Sequence, residues 1–372
     1  MSGVVPDVRY DALLGVTDVF RQRSRHSAGE SIWSLTNKQC SRRVEMISPG
    51  PLSVWDQSVY LAVIAAVTQS DSILTADSGP PRGDLWNQLQ VTDVELAGKA
   101  GTATVSWRAL ARLAGVKKPG GKTIVLLTRA LERLSGVECW YLQLPVRWAA
   151  QLIAWAPTAG GVQLALHPHA TRVARGILHS DGKPWRYALV SLRERYALAD
   201  LRRNSASNKK VSPAIAQVMH AWLSAWMRRT DERKIRLATL ASRLFSDVVD
   251  RRSTAARFRA VKLSLEAIGR LPGWQVDIED DLCRIRRLEG TVGCDGVDLD
   301  ARSCGPDSRS VATNSSDLRY LATSSFCSIP YKGGIESRPR LGRPARRRRR
   351  VTSREHAGPV ERREVDAGVH RT

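Results

Sequence analysis

No run of eighteen apolar residues occurs anywhere in the chain, so no membrane-spanning helix is expected. The opening stretch, MSGVVPDVRYDALLGV, lacks the charged start and apolar core of a secretory signal. Cysteine is sparse and scattered: Cys40, Cys139, Cys283, Cys294, Cys304 and Cys327 form no CxxC pair. That excludes a close-spaced zinc or dithiol redox motif and fits unpaired thiols in a reducing compartment. No Ser/His/Asp set and no carboxylate pair stands at a catalytic spacing. Tryptophan also runs out: all eleven lie at or before Trp274, and amphipathic patterning ends near Leu288. The expectation is a soluble cytoplasmic protein without a metal ion or cofactor.

Positive charge is what the chain has in excess. Lys and Arg number 58 against 36 Asp and Glu, a net of +22 in 372 residues, while the apolar fraction of 42% is ordinary for a folded protein. A surplus of that size costs self-repulsion and points to an acidic partner, with nucleic acid ahead of a membrane surface. Residues 290–372 hold sixteen Lys/Arg and ten Asp/Glu, a net of +6, so +16 remains on the body. This C-terminal stretch, rich in Gly, Ser, Asp and Arg and ending near the run Arg346 to Arg350, reads as a disordered basic tail. Its arginines could add non-specific phosphate contacts or be dispensable.

Two segments of the body share one design. In the first, Ser106 caps a short helix with Trp107, Leu110 and Ala111 inward, stopped by Gly115. The turn VKKPGG leads to a second helix with Ile124, Leu127, Leu131 and Leu134 inward. Gly136 ends it, and a strand is predicted over Val137–Leu144. In the second segment, Leu237, Leu240, Ala241 and Leu244 face inward on one helix, and Phe258, Val261, Leu265 and Ile268 on the next. Pro272-Gly273 then opens an alternating strand through Trp274, Val276 and Ile278, with a return strand over Leu282–Arg287. Short helix, turn, longer helix and hairpin is the order of a winged helix-turn-helix, and finding it twice implies duplication. Ser212-Pro213 is a further helix start, placing Ile215, Met219, Trp222 and Trp226 on one face.

At 100° per residue, the faces opposite these stripes can be read directly. On the later helix, Arg252 (just before an expected Ser253 cap), Ala256 and Arg259 project outward, with Lys262 on the flank. Small residues permit close approach to base edges, and arginine can bind guanine through two hydrogen bonds. Arg251 and Arg252, with Ser253 and Thr254, mark the helix start, where backbone amides favour phosphate. On the earlier helix Lys122, Arg129 and Arg133 face outward, and Lys117 and Lys118 lie in the preceding turn. Glu132 makes that face less purely basic, which suits positioning on DNA or contact with another subunit. Any single arginine here could equally be a solvated surface residue.

Two motifs point elsewhere. Gly120-Gly121-Lys122-Thr123 lacks the glycine a P-loop needs five positions before Gly121, where Val116 stands, and it follows a helix instead of a strand. LALHPH, residues 164–169, has the His-x-His spacing of metal-dependent nickases. Tyr187 and Tyr196 lack a lysine one turn later, however, and Pro168 suits a strand-to-helix turn better than a central strand.

Arg43–Val67 resembles the strand, Gly-Pro turn and first helix of RepC-type replication initiators of IncQ-group plasmids. Ser106–Gly115 resembles that family's Ser-aromatic-Arg-Ala-Leu-Ala helix. Leu131-Glu132-Arg133-Leu134, Gln163–Ala174, Ser253-Thr254 with the basic helix after it, and Gly273-Trp274 follow in order, so the likeness spans roughly residues 42–287. Arg202–Lys210 resembles an insertion, and the tail has no counterpart. The resemblance implies an α+β fold of two tandem winged helices and a non-enzymatic initiator. It further implies binding of double-stranded DNA at directly repeated iterons, opening of adjacent A+T-rich DNA, and support for loading a plasmid-encoded helicase that works with a primase. The second winged helix is then the main reader, and the first the place for phosphate contacts and homodimer pairing. The division expected is an N-terminal extension (1–40), a first winged helix (41–182), a second (183–289) and the tail (290–372). A winged-helix transcriptional regulator is the alternative, and a His-dependent nickase a more distant one.

Overall fold

Three serines mark three helix starts, each by the same device. Ser53, Ser106 and Ser191 sit in extended backbone, and each side-chain oxygen accepts the amide N–H three residues on. At Ser53 the box is completed by Asp56, whose carboxylate accepts from the Ser53 amide and hydroxyl, both at 2.7 Å. The structure is a computed structural model that describes residues 6–16, 19–20, 31–37, 42–50, 52–80, 82–143, 146–177, 187–201, 211–245 and 251–288. The tail expected from residue 290 and the Arg202–Lys210 segment lie outside the described residues.

The chain begins with Asp7–Asp11 (β1), Ala12–Val16 (α1), Ser31–Asn37 (β2) and Arg42–Ser48 (β3). Val54–Thr68 (α2), Ile73–Leu74 (β4), Arg82–Gln88 (α3) and Val94–Ala97 (α4) lead to Ala100–Ser106 (β5), Trp107–Leu113 (α5) and Gly121–Ser135 (α6). Glu138–Gln143 (β6), Val146–Gln151 (β7), Ile153–Thr158 (β8), Gly161–Leu166 (β9) and Pro168–Arg175 (α7) follow. The remainder is Tyr187–Ser191 (β10), Leu192–Ala199 (α8), Pro213–Trp226 (α9), Glu232–Arg236 (β11), Leu237–Leu244 (α10), Arg251–Ile268 (α11), Trp274–Glu279 (β12) and Leu282–Arg287 (β13). No described helix is long and apolar enough to cross a membrane.

The fold is α+β and contains the same winged helix twice. One copy runs α2, β5, α5, α6, β8, β9, and the other α9, β11, α10, α11, β12, β13. In each, the strand before the helix-turn-helix pairs with the second strand of the hairpin, giving the orders β5-β9-β8 and β11-β13-β12, all antiparallel. Close packing in the first copy depends on Gly161, where a Cβ would stand 2.1 Å from the carbonyl oxygen of Val105. The inward residues are those the periodicity gives: Leu110, Leu127, Leu131 and Leu134 are fully buried in one core, and Leu240, Val261, Leu265 and Ile268 in the other. Gly115, with φ +92°, stops α5 as expected.

The structure differs from the sequence reading at three places. The strand after α6 is present, but β6 pairs with β3 and β7 in a separate sheet of order β2-β3-β6-β7. The wing of the first copy is the later hairpin, β8–β9, and β6–β7 is inserted before it. Helix α11 is described from Arg251, so Ser253 lies within its first turn, two residues after the described start. Ser212 precedes α9 with Pro213 in the first turn, but its side chain makes no capping hydrogen bond.

All described residues belong to one compact unit, Met1–Val297. Strand β1, in the stretch expected as an extension, pairs with β10, and α1 lies against α9. There the backbones approach so closely that a Cβ on Gly15 would meet the Ala225 Cβ at 2.4 Å.

Candidate nucleic-acid interface

Helix α11 is fixed from below. Val261, Leu265 and Ile268 pack on Leu237, Leu240 and Leu244 of α10 and on Trp274, Cys283 and Ile285 of the hairpin. Because those inward positions are locked, the opposite side is presented to solvent: Ala255, Ala256, Arg259 and Lys262 are all exposed. Neither Arg259 nor Lys262 has an ion-pair partner among the described residues. Arg257, by contrast, lies over the Phe245 ring at 4.9 Å, on the flank towards α10. Arg251, Arg252 and Ser253 form the first turn, and Thr254 is half-buried behind it. The result is a helix whose outward stripe is small near its start and basic beyond, an arrangement that can enter a major groove.

The adjoining wing has different electrostatics. Glu232 on β11 accepts from Arg286 Nε at 2.6 Å and pairs with Arg284 at 3.4 Å, so two arginines share one carboxylate, while Lys234 and Arg236 of β11 remain exposed. The hairpin tip carries Glu279, Asp280 and Asp281, all exposed. An acidic tip repels phosphate, whereas the exposed stripe of α11 carries the opposite charge.

On α6 the five sequence-derived cations divide. Lys118, Lys122 and Arg129 are exposed, with no ion pair among the described residues. Lys117 instead pairs with Asp200 at 2.5 Å, tying the helix-turn-helix turn to the end of α8. Arg133 donates through Nε and Nη2 to Asp56 at 3.1 and 2.6 Å, so it secures α6 to the start of α2. The outward face also shows two apolar residues that the search for cations passed over, Val125 and Leu126, each 50% exposed. Projecting α6 at 100° per residue puts Val125 beside Arg129, so the signal was present.

A polar junction joins the two copies, and no sequence pattern announced it. Arg195 of α8 is 2% exposed and donates to Gln57 Oε1 (3.2 Å) and Ser58 Oγ (3.1 Å) on α2 and to the Gln217 carbonyl (2.7 Å) on α9. Burial without a carboxylate partner pulls its pKa down to about 10. Next to it, Glu194 accepts from Trp274 Nε1 at 3.1 Å and lies 2.6 Å from His220 Nε2. Burial pushes the Glu194 carboxyl up, but the His220 hydrogen bond and charge, with Trp274 and Arg287, outweigh it and hold the pKa below the ordinary value. Arg287 of β13 closes the junction by donating to the carbonyls of Leu189, Ser224 and Met227.

The His-x-His pair lies elsewhere and is buried. His167 precedes α7, and its Nδ1 accepts the His169 amide at 3.0 Å, while His169 Nε2 lies 2.8 Å from Asp11 Oδ2. Both rings pack against Tyr141, and Tyr196 donates its hydroxyl to the Leu113 carbonyl at 2.7 Å.

Fold and site together define a tandem winged-helix protein with an exposed, outward basic stripe on the second helix of its later helix-turn-helix. No family model and no curated protein matches this chain. Among solved structures it is similar to a selenomethionine derivative of domains 2 and 3 of RctB, at 12% identity, covering 73% of this chain and 95% of that one with a TM-score of 0.37. A second structure of RctB domains 2-3 gives 12% identity, 73% and 96% coverage and a TM-score of 0.35. Likeness at that level decides nothing, and the architecture rests on the sheet orders and helix packing above.

Proposed function

We propose that this chain is a plasmid replication initiator that binds double-stranded DNA at directly repeated sites, promotes opening of adjacent A+T-rich DNA and supports loading of a plasmid-encoded helicase acting with a primase. One observation carries the DNA-binding part: the exposed stripe Ala255, Ala256, Arg259 and Lys262 on the second helix of a helix-turn-helix, with neither cation in an ion pair among the described residues. The initiator part rests on the ordered resemblance to RepC-type proteins over residues 42–287 and on two winged helices filling the body. A regulator more commonly joins one such module to a sensor or dimerisation domain.

In this reading α11 reads bases, α6 and the turn before it contact phosphate, and the protein works in the cytoplasm. The first winged helix also provides a surface for pairing with a second copy. No catalytic chemistry is assigned. The buried places of His167 and His169 and the hydrogen bond that occupies the Tyr196 hydroxyl support a non-enzymatic role.

Footprinting of the purified protein on DNA around its own gene, at about 0.15 M salt, with permanganate to detect unpaired thymines, tests the proposal. Evenly spaced protection over direct repeats, with reactive thymines beside them, is expected. Protection of a single palindrome without opening would identify a regulator. Mg²⁺- or Mn²⁺-dependent nicking that vanishes in His167→Ala and His169→Ala would identify a nickase.

A further inference from the structure

The two reading helices can be placed in register residue by residue. Ile124, Leu127, Leu131 and Leu134 of α6 have the same spacing as Phe258, Val261, Leu265 and Ile268 of α11; the last three of each set are buried in their cores, and Ile124 and Phe258 are half-buried. In that register the basic pair Lys117-Lys118 stands seven and six positions before Ile124, as Arg251-Arg252 stands before Phe258. The residue following the first inward position, Arg259 in α11, is Val125 in α6. The basic pair recurs in both copies, in the turn before α6 and in the first turn of α11, whereas the next outward position is valine in α6 and arginine in α11.

We propose that α6 is a second reading helix whose base contact is apolar, with Val125, flanked by Leu126, resting on thymine C5 methyl groups in the major groove. The inference depends on the DNA-binding reading above and adds to it a base preference for the first winged helix. The thymine methyl is the one apolar group a major groove offers, so a valine at a groove-facing position selects for it. Val125 and Leu126 are each half-exposed, whereas the next apolar layer, Leu127, Ala130 and Leu131, is fully buried, so the pair projects from the core without supporting it.

The surrounding charge decides between DNA and a second copy of the chain as the occupant. Lys122 and Arg129 stand one turn either side of Val125 and Lys118 lies in the preceding turn, all exposed, with Glu132 two turns on. A two-fold interface centred on Val125 would gather Lys118, Lys122 and Arg129 of both copies around one apolar contact, with a single Glu132 from each to offset them. A duplex brings phosphates to those cations and methyls to the apolar pair.

The test compares the duplex protected in the footprint with the same duplex carrying deoxyuridine for every thymine, which deletes only the C5 methyls. Affinities of the full-length protein and of Val125→Ser are measured by fluorescence anisotropy at fixed salt. The native protein should bind the deoxyuridine duplex about fourfold more weakly for each methyl that α6 covers. Val125→Ser should lose a similar factor on the thymine duplex and show a correspondingly smaller penalty for deoxyuridine. Equal deoxyuridine penalties in both proteins, or none in the native protein, would overturn the inference while leaving DNA binding intact. A halved assembly mass in Val125→Ser with unchanged affinity per chain would assign the face to a second copy and overturn it as well. Failure to bind any duplex would sink the DNA-binding reading itself. Thermal melting of Val125→Ser checks its fold, and the native-protein arm needs no variant.

Discussion

Asp56 is wholly buried, yet its carboxylate accepts from the Ser53 amide, the Ser53 hydroxyl and two nitrogens of Arg133. Removing the arginine leaves a buried carboxylate short of its partner, a costly state even though Arg133 itself is 42% exposed. Arg133→Ala is therefore expected to lower unfolding free energy by about 1–2 kcal/mol, after discounting for that exposure. Urea denaturation checks this, and the salt dependence of DNA binding should be unchanged. Lys122→Ala should do the reverse, reducing the log–log salt slope by about one unit with stability preserved. The helical projection placed both residues on one outward face. It could not separate their roles, because Asp56 reaches Arg133 from a helix far earlier in the chain, and a projection of α6 contains no information about α2. The same limit hid the pairing of Lys117 with Asp200.

At the scale of elements, periodicity located the strands and helices well because each inward stripe is a local record of its own core. Pairing is not local. The strand after α6 was legible in Val137–Leu144, but its partner β3 lies near the start of the chain, and nothing in the strand itself says that β8–β9 is the wing. Helix α8 was illegible for the same reason: Arg195 reads as an ordinary surface arginine until α2 and α9 enclose it. Removing its guanidinium takes the donor from Gln57 Oε1 and the Gln217 carbonyl in a buried junction, at about 1–3 kcal/mol for each unsatisfied group, while the Ser58 hydroxyl keeps its bond to the Val54 carbonyl. Arg195→Ala is expected to split a single thermal transition into two, as the winged helices lose their shared joint. Calorimetry would show this, and one cooperative transition at an unchanged temperature would contradict it.

For the whole molecule, the junction and the buried histidines make acid the destabilising condition. Burial pulls the pKa of His220 below its ordinary value of 6.5, outweighing the upward pull of Glu194. Burial, then the nearby His169, depresses His167 further. A histidine whose folded pKa is depressed binds its proton more readily when unfolded, so its stabilising effect is complete above about 6.5 and declines as pH falls towards the folded value. Glu194, also depressed, extends the loss to lower pH. The melting temperature is expected to fall as pH is lowered from 6.5, and His220→Gln should flatten that dependence.

Charge at this scale was plain in the composition, since +16 of the +22 lies before residue 290. Its distribution was not: the wing tip gathers Glu279, Asp280 and Asp281, while Arg259 and Lys262 stand exposed on α11. That α11 reads bases is the central claim. The most direct measurement is titration of the native protein and Arg259→Ala against the protected duplex and against random duplex of equal length. Arg259→Ala is expected to lose about 1–3 kcal/mol on the protected site, with little change on random DNA. Equal losses on both duplexes would contradict base reading by α11 and reduce Arg259 to a phosphate contact.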